Sequence, residues 1–454
     1  EKNDLGKTAS IVSTSSYKID ETYPWNGNHS TIHSQCNGVT IKLKSESTDW
    51  SIDLRAFNDG LAFKYSFHSE EPITFSGEST SLHFDPTLSS KYMRHKMGEE
   101  SRVYTLPVTE IAKEKFNRTL PPLLLFPKDT SHYIMVLEGG GFSFHGYSLL
   151  AQDNASFKVD YAEKPEGWKV QGDVETAWKI ICSVDSLNAL VNTDLVSNVC
   201  PAPDPKLFPQ GLDEAWIQPG TSTWNWWAKV SSKYEEQIKL IDLAAQMGAD
   251  YHLVDIGWDQ NWVTEEKTAH QALKELCDYA ATKNIGVWVW KTSDVSLNLE
   301  LNKDSSKNKF KPLEEVHVSL DPDEMRAEIK RIADAGARGI KLDYIESENS
   351  KWKSYMENVL KVCAEHKLMV DFHGCATPAG EARTYPNEVT REAIYGGEKL
   401  RGGGGAIKKP TSQYIDLLFT RLIAGHADYT PGIFSSPQGE GFTNSMQLAS
   451  AMMF

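Results

Sequence analysis

The feature that most constrains this chain is a change of period near its middle. From residue 234 onward, amphipathic helices alternate with short apolar strands. Tyr234–Met247 (YEEQIKLIDLAAQM) repeats its apolar residues at helical spacing, and Gly248 stops it before Tyr251–Asp255. Ala269–Thr282 then leads to Gly286–Trp290, Pro322–Ala335 leads to Gly339–Asp343, and Trp352–Glu365 leads to Leu368–His373. Four successive helix–strand units of this kind are the signature of a parallel sheet with helices outside it, since each parallel pair needs a long crossover. A strand at Ala215–Gln218 precedes these units and one at Ala393–Tyr395 follows them. No Gly-rich phosphate loop closes a strand and opens a helix, and Arg401–Gly405 (RGGGG) does neither. That absence favours a (β/α)8 TIM-type barrel over a doubly wound sheet.

Residues 1 to about 200 follow a different rule. Alternating runs such as Val39–Leu43, Leu61–Tyr65 and Tyr133–Leu137 are punctuated by Asn, Asp, Gly and Pro, which predicts a large antiparallel sandwich. The one candidate helix lies around Val108–Phe116. Pro201-Ala-Pro-Asp-Pro205 reads as a linker, dividing the chain into a β domain over 1–205 and a barrel over 206–454. A length of 454 residues agrees, since single cores stop growing near roughly 250–300.

A net charge of -15 speaks against nucleic acid or an anionic membrane surface as partner, and no apolar run is long enough for a transmembrane helix. An uncharged substrate fits best. The six cysteines (Cys36, Cys182, Cys200, Cys277, Cys363, Cys375) have no metal-type spacing, and a Cys182–Cys200 disulfide stands beside buried free thiols as an alternative.

Barrel chemistry sits at the C-terminal ends of the strands. Reading those ends gives Asp255, Trp290 with Lys291, Lys341 with Asp343, Asp371 with His373, and Glu392 with Glu398. The set is rich in carboxylates and holds no Ser–His–Asp or Cys–His arrangement. Two carboxyl groups, one ionised and one carrying a proton, are what glycosidic cleavage requires. Eight of the 13 tryptophans (216, 224, 226, 227, 258, 262, 288, 290) fall in strands one to three and the loops behind them. Their faces suit the apolar C–H surfaces of sugars, although core packing explains such residues equally well. Asp371 and His373 share one side of their strand, and one can merely orient the other. Lys341 and Asp343 share a face in the same way, and a charge-paired barrel interior is the plain alternative.

The chain resembles glycoside hydrolase family 97 in several separated segments. They are Asn58-Asp-Gly60 with Leu61–Tyr65, Tyr133–Glu138, Pro219-Gly220 with Trp224–Trp227, and Val254–Trp258. Further along come Gly339–Asp343, Phe372-His-Gly374, Arg383–Asn387, Glu392 with Gly396-Gly-Glu398, Phe419–Arg421 and Asp428–Gly432. The resemblance implies a β-super-sandwich, a catalytic barrel and calcium. It implies a retaining exo-α-glycosidase, most closely an α-galactosidase, working by double displacement. Retaining members carry an Asp at the end of strand four, matched by Asp343, where inverting α-glucosidases place a Glu after the strand-five His, matched here by Gly374. Glu398 matches the acid/base, and Glu138, Glu392 and Glu398 match calcium ligands. Asp255 and Lys341 resemble groups that hold sugar hydroxyls, with His373, Asp371 and Trp290 lining the same subsite. The implied partner is an α-linked galactoside or related oligosaccharide, and the implied location is bacterial, periplasmic or extracellular. An inverting α-glucosidase and a non-catalytic sugar-binding protein are the rival readings. A seventh strand is expected near Ala427–Thr430 and a last helix over Asn444–Phe454, so strand eight and a C-terminal β domain are expected to be missing from this chain.

Overall fold

The computed structural model describes residues 4–453 apart from 47, 96–98, 163–165, 294–317, 346, 402–411 and 432–442. Thirteen N-terminal strands form one large antiparallel system, in which Thr31–Ser45 and Gly60–Phe75 are the long members. Alternation explains it. Along Thr31–Ser45, residues 32, 34, 36 and 38 are buried while their neighbours face solvent, so one face packs and the other stays wet. The expected helix at Val108–Phe116 is a 3-10 helix over Val108–Lys113, with Val108 and Ile111 buried beneath it.

The second half is a six-stranded parallel sheet: Ser222–Trp224, Tyr251–Val254, Gly286–Thr292, Gly339–Asp343, Met369–Phe372 and Glu388–Arg391, neighbours in that order. The intervening helices form where their caps dictate. Thr268 caps Ala269–Ala281 through a reciprocal box with Gln271, and Asp321 caps Pro322–Asp334, whose first residue is a proline. Gly248 ends Tyr234–Met247 at φ +73°, the left-handed conformation that glycine adopts without a Cβ penalty. Ile241 and Ala244 of that helix, with Ile329, Ile332, Val359 and Leu360 of later ones, bury against Val254, Val289, Ile340 and Val370.

Three expectations are corrected here. The first parallel strand is Ser222–Trp224 rather than Ala215–Gln218, where Pro219 and Gly220 interrupt the run before it can pair. The sixth is Glu388–Arg391 rather than Ala393–Tyr395. Buried Glu388 and Arg391 hide its strand character, because they neutralise each other through two hydrogen bonds of 2.5 and 2.8 Å. Ala427–Thr430 forms no strand, although Asp428 donates its N–H to the Arg391 carbonyl at 3.0 Å. The cysteines are free thiols, all buried. Cys200 lies 3.3 Å from the Ala379 carbonyl, across the junction between sandwich and barrel. Glycines 402–405 of the expected loop lie outside the described residues.

The sandwich seats directly on the strand-end loops of the barrel. Gly140 N–H meets Ala379 O at 2.7 Å, Gly146 N–H meets Glu348 O at 2.9 Å, and the Arg383 guanidinium lies 3.5 Å from the centroid of the Tyr23 ring. Between them, Glu138 and Lys353 form a buried ion pair at 2.9 Å, flanked by the Tyr147 N–H on the other carboxylate oxygen. Lys353→Met is therefore expected to cost about 3–5 kcal/mol, because it leaves Glu138 buried without its counter-ion. Thermal denaturation with limited proteolysis around 201–205 would check this, and a melting point equal to wild type would contradict it.

Candidate functional site

Parallel register aligns the strand ends into one working surface. Trp290, Lys341 and Asp371 are direct neighbours across strands three, four and five, so their side chains project to the same side. Asp343 follows Lys341 by two and projects with it. Lys291, one residue out of phase with Trp290, turns the other way into the helix layer, where it pairs with Asp259 at 3.1 Å and Glu328 at 2.7 Å. That alternation removes Lys291 from the site.

Lys341 is the electrostatic centre. It is buried, yet the charges of Asp255, Asp343, Asp371 and Asp428 overcome that burial and push its ammonium up from the ordinary value. Its Nζ lies 3.1 Å from Asp255 Oδ2 and 3.9 Å from the Trp224 ring centroid, and the Trp224 indole N–H donates to the same Asp255 oxygen at 2.6 Å. Cation, ring and carboxylate thus fix one another.

Asp343 ends strand four and is only partly buried. Trp290 Nε1 donates to its Oδ2 at 3.0 Å, and the Tyr344 backbone N–H donates to its Oδ1 at 2.7 Å. The second bond requires Tyr344 to turn back sharply, which it does at φ +62°, a left-handed conformation costly for a tyrosine. Gly374 faces this carboxylate. A Cβ there would stand 3.5 Å from Asp343 Oδ1, in ordinary contact, so the position opposite holds space where another residue would hold a side chain.

His373 joins three acids. Its Nε2 is 2.8 Å from Asp428 and 3.3 Å from Asp371, and its Nδ1 is 3.3 Å from Glu392, which also accepts the Gly374 N–H at 3.0 Å. Burial opposes a charged imidazole, but Asp371 and Glu392 override it and hold His373 protonated well above its usual range. Burial and the Asp428 charge raise Asp371 to about 6, and burial with the Glu100 and Asp343 charges raises Glu392 to about 7. Asp371 Oδ1 is buried with no hydrogen-bond partner among the described residues.

Asp428 goes the other way. Burial would raise it, but the His373 hydrogen bond and charge hold it at about 2. A folded-state pKa below the unfolded value means stability that is present above about pH 4 and is lost as pH falls through about 2. That contribution amounts to about 2 kcal/mol. Asp428→Asn is expected to flatten the acid side of a stability-versus-pH curve measured by denaturant titration. A slope unchanged between pH 4 and 2 would contradict the assignment.

Glu398 lies in a short 3-10 turn over Gly397–Arg401 and accepts the Trp226 indole N–H at 3.0 Å. The expected three-glutamate group of Glu138, Glu392 and Glu398 does not assemble. Glu138 is held by Lys353 in the domain junction, and among the described residues only Asp371, His373 and Asp428 bring ligand atoms within 4.8 Å of one another. That trio already contains its own cation, protonated His373. The glutamate that the sandwich does present to Glu392 is Glu100, whose charge acts on Glu392 and on Lys399, and whose carboxylate pairs with Lys399. The charges of Glu100, Glu392 and Glu398 all raise the Lys399 ammonium, although only Glu100 pairs with it directly. Carboxylate oxygens are the hard donors that a calcium ion accepts, and these three glutamates are the ones whose charges reach Lys399.

Comparison with known proteins identifies the family of both halves of the chain. A family model described as Glycosyl-hydrolase 97 N-terminal matches residues 1–201, and one described as Glycoside hydrolase 97 matches residues 216–394. A retaining alpha-galactosidase of Bacteroides thetaiotaomicron is 24% identical over 99% of this chain and 70% of its own length. A probable retaining alpha-galactosidase of Streptomyces bingchenggensis is 29% identical over 59% of this chain and 38% of its own. A solved beta-arabinopyranosidase shares the fold with a TM-score of 0.80 at 22% identity, covering 98% of this chain and 72% of that one.

Proposed function

The chain belongs to glycoside hydrolase family 97, and from that premise we propose a retaining exo-α-glycosidase that releases α-linked galactose. The observation that carries the reading is the setting of Asp343: part-exposed, both oxygens oriented by N–H donors, and faced by Gly374 rather than a second carboxylate. Such a carboxylate is fixed for attack, and among the described residues position 374 brings no second carboxylate to activate water in its place. Asp343 attacks the anomeric carbon and forms a β-linked ester while Glu398 protonates the departing oxygen. Glu398 then takes a proton from water, which opens the ester and returns the sugar with its α configuration.

Around that centre, the Lys341–Asp255 pair and the unpartnered Asp371 oxygen offer a donor and acceptors to the sugar hydroxyls, and His373 holds Asp371 in place. The two relatives named above are described as a retaining alpha-galactosidase and a probable one, which supports galactose over glucose. Turnover of an aryl α-galactoside is expected to exceed that of the matching α-glucoside by about 100-fold or more in kcat/KM. Equal or inverted preference would overturn the assignment of the sugar.

Calcium belongs to the same proposal, with Glu392 and Glu398 as ligands and Glu100 in the place expected for Glu138. When bound, the ion would supply positive charge near the leaving group and fix the Glu398 carboxylate. Chelation is expected to lower activity reversibly, with calcium restoring it. Glu100→Gln is expected to weaken the calcium-induced rise in melting temperature, while Glu138→Gln leaves it intact. A response abolished by Glu138→Gln and untouched by Glu100→Gln would reverse the correction.

A further inference from the structure

One tryptophan in this site has a role that the reaction at Asp343 does not account for. Trp226 is 48% exposed, an unusual amount for the largest apolar side chain. Its indole N–H is nevertheless committed to Glu398, 172 residues away, at 3.0 Å. The turn that carries it is braced. Asn225 is 3% exposed, donates its side-chain amide to the Val230 carbonyl at 3.2 Å and accepts the Asp255 N–H at 2.7 Å. Backbone bonds from Val230 to Asn225 and from Lys229 to Trp226 close the same turn. Two residues earlier, Trp224 holds Asp255 and Lys341. A single stretch of chain therefore touches the sugar-holding pair at one end and the acid/base at the other.

We propose that Trp226 forms the leaving-group subsite: its N–H positions Glu398, and its exposed face receives the sugar ring that departs. The subsite then favours a pyranose leaving group over a small alkyl one. This rests on the functional reading above and adds the identity of the leaving group. The argument is geometric. Glu398 must sit beside the glycosidic oxygen to protonate it, and the leaving ring is bonded to that oxygen. A side chain hydrogen-bonded to Glu398 is therefore within one ring's width of the departing sugar. An indole face is apolar and flat, and it matches the C–H face of a pyranose. A charged or branched leaving group would gain nothing from it.

The test separates positioning from packing by varying the leaving group. A dinitrophenolate departs without a proton, whereas a sugar alkoxide needs one. W226F keeps an aromatic face and deletes the N–H. Its loss in kcat/KM on an α-galactosyl disaccharide is expected to exceed its loss on the dinitrophenyl galactoside by roughly tenfold or more. W226A is expected to raise KM for the disaccharide as well. The wild-type enzyme provides a reading free of any folding defect. It is expected to cleave the disaccharide at least about tenfold more efficiently than methyl α-galactoside, whose leaving group has no ring to stack. Wild-type turnover with no such preference, or equal losses on all substrates in both variants, would overturn the proposal alone. Failure of the wild-type enzyme to cleave any α-galactoside would overturn the functional reading and this subsite with it.

Discussion

Asp343→Gly is expected to reduce kcat/KM on an aryl α-galactoside by on the order of a thousandfold or more, equivalent to at least about 4 kcal/mol of transition-state stabilisation. The size follows from its place in the site. Among the described residues the neighbouring carboxylates are committed elsewhere: Glu392 is engaged by His373 and by the Gly374 N–H, Asp371 and Asp428 by His373, and Asp255 by Lys341. The Trp290 and Tyr344 N–H groups that orient Asp343 would lose their acceptor without gaining another. A small anion should therefore enter the vacated space. Added azide is expected to restore turnover of an activated galactoside and to yield the β-galactosyl azide, because it attacks from the side Asp343 occupied. Residual activity near wild type, without azide, would remove Asp343 from the nucleophile's role.

The second large effect is at Lys341. Replacing it by Ala deletes the ammonium around which Asp255, Asp343, Asp371 and Asp428 are arranged, in a position only 2% exposed. Breaking a buried ion pair by removing one partner costs about 3–5 kcal/mol, since the carboxylates remain buried. A clear fall in melting temperature is expected together with loss of activity. The two effects can be separated with a second substitution. Lys341→Met combined with Asp255→Asn removes both members of the pair, so most of the stability should return while activity does not. If activity returned with stability, Lys341 would be a structural residue and no part of the sugar site.

Much of the fold was legible because helix and strand periods differ. Tyr234–Met247, Gly339–Asp343 and Asn444–Met453 fall close to where their patterns and caps put them. Strand six was misplaced because its ends are Glu388 and Arg391, and a buried salt bridge looks like loop in a one-dimensional pattern. Site residues were legible where they ended a strand, as with Asp255, Asp343 and His373. Glu100 was not, and Trp226 and Asp428 stood out only as members of a tryptophan cluster and of a family-like segment, since each reaches the site from a loop whose course depends on tertiary packing. Asp428 could have been reached by asking what lies at the end of an expected seventh strand. Nothing local marks Glu100, one of two consecutive glutamates in a sandwich loop, of which Glu99 turns instead to the Thr377 N–H. Glu138 shows the converse: a glutamate at the right end of a strand whose counter-ion, Lys353, can be seen only in three dimensions.

The account stands most directly on the stereochemistry of the first product. Proton NMR during the opening minutes of hydrolysis, before mutarotation equilibrates the sugar, resolves the two anomers. Double displacement through Asp343 predicts that the α anomer of galactose accumulates first and the β anomer only later. Initial release of the β anomer would mean that water attacks the substrate directly, and would contradict the nucleophilic role of Asp343.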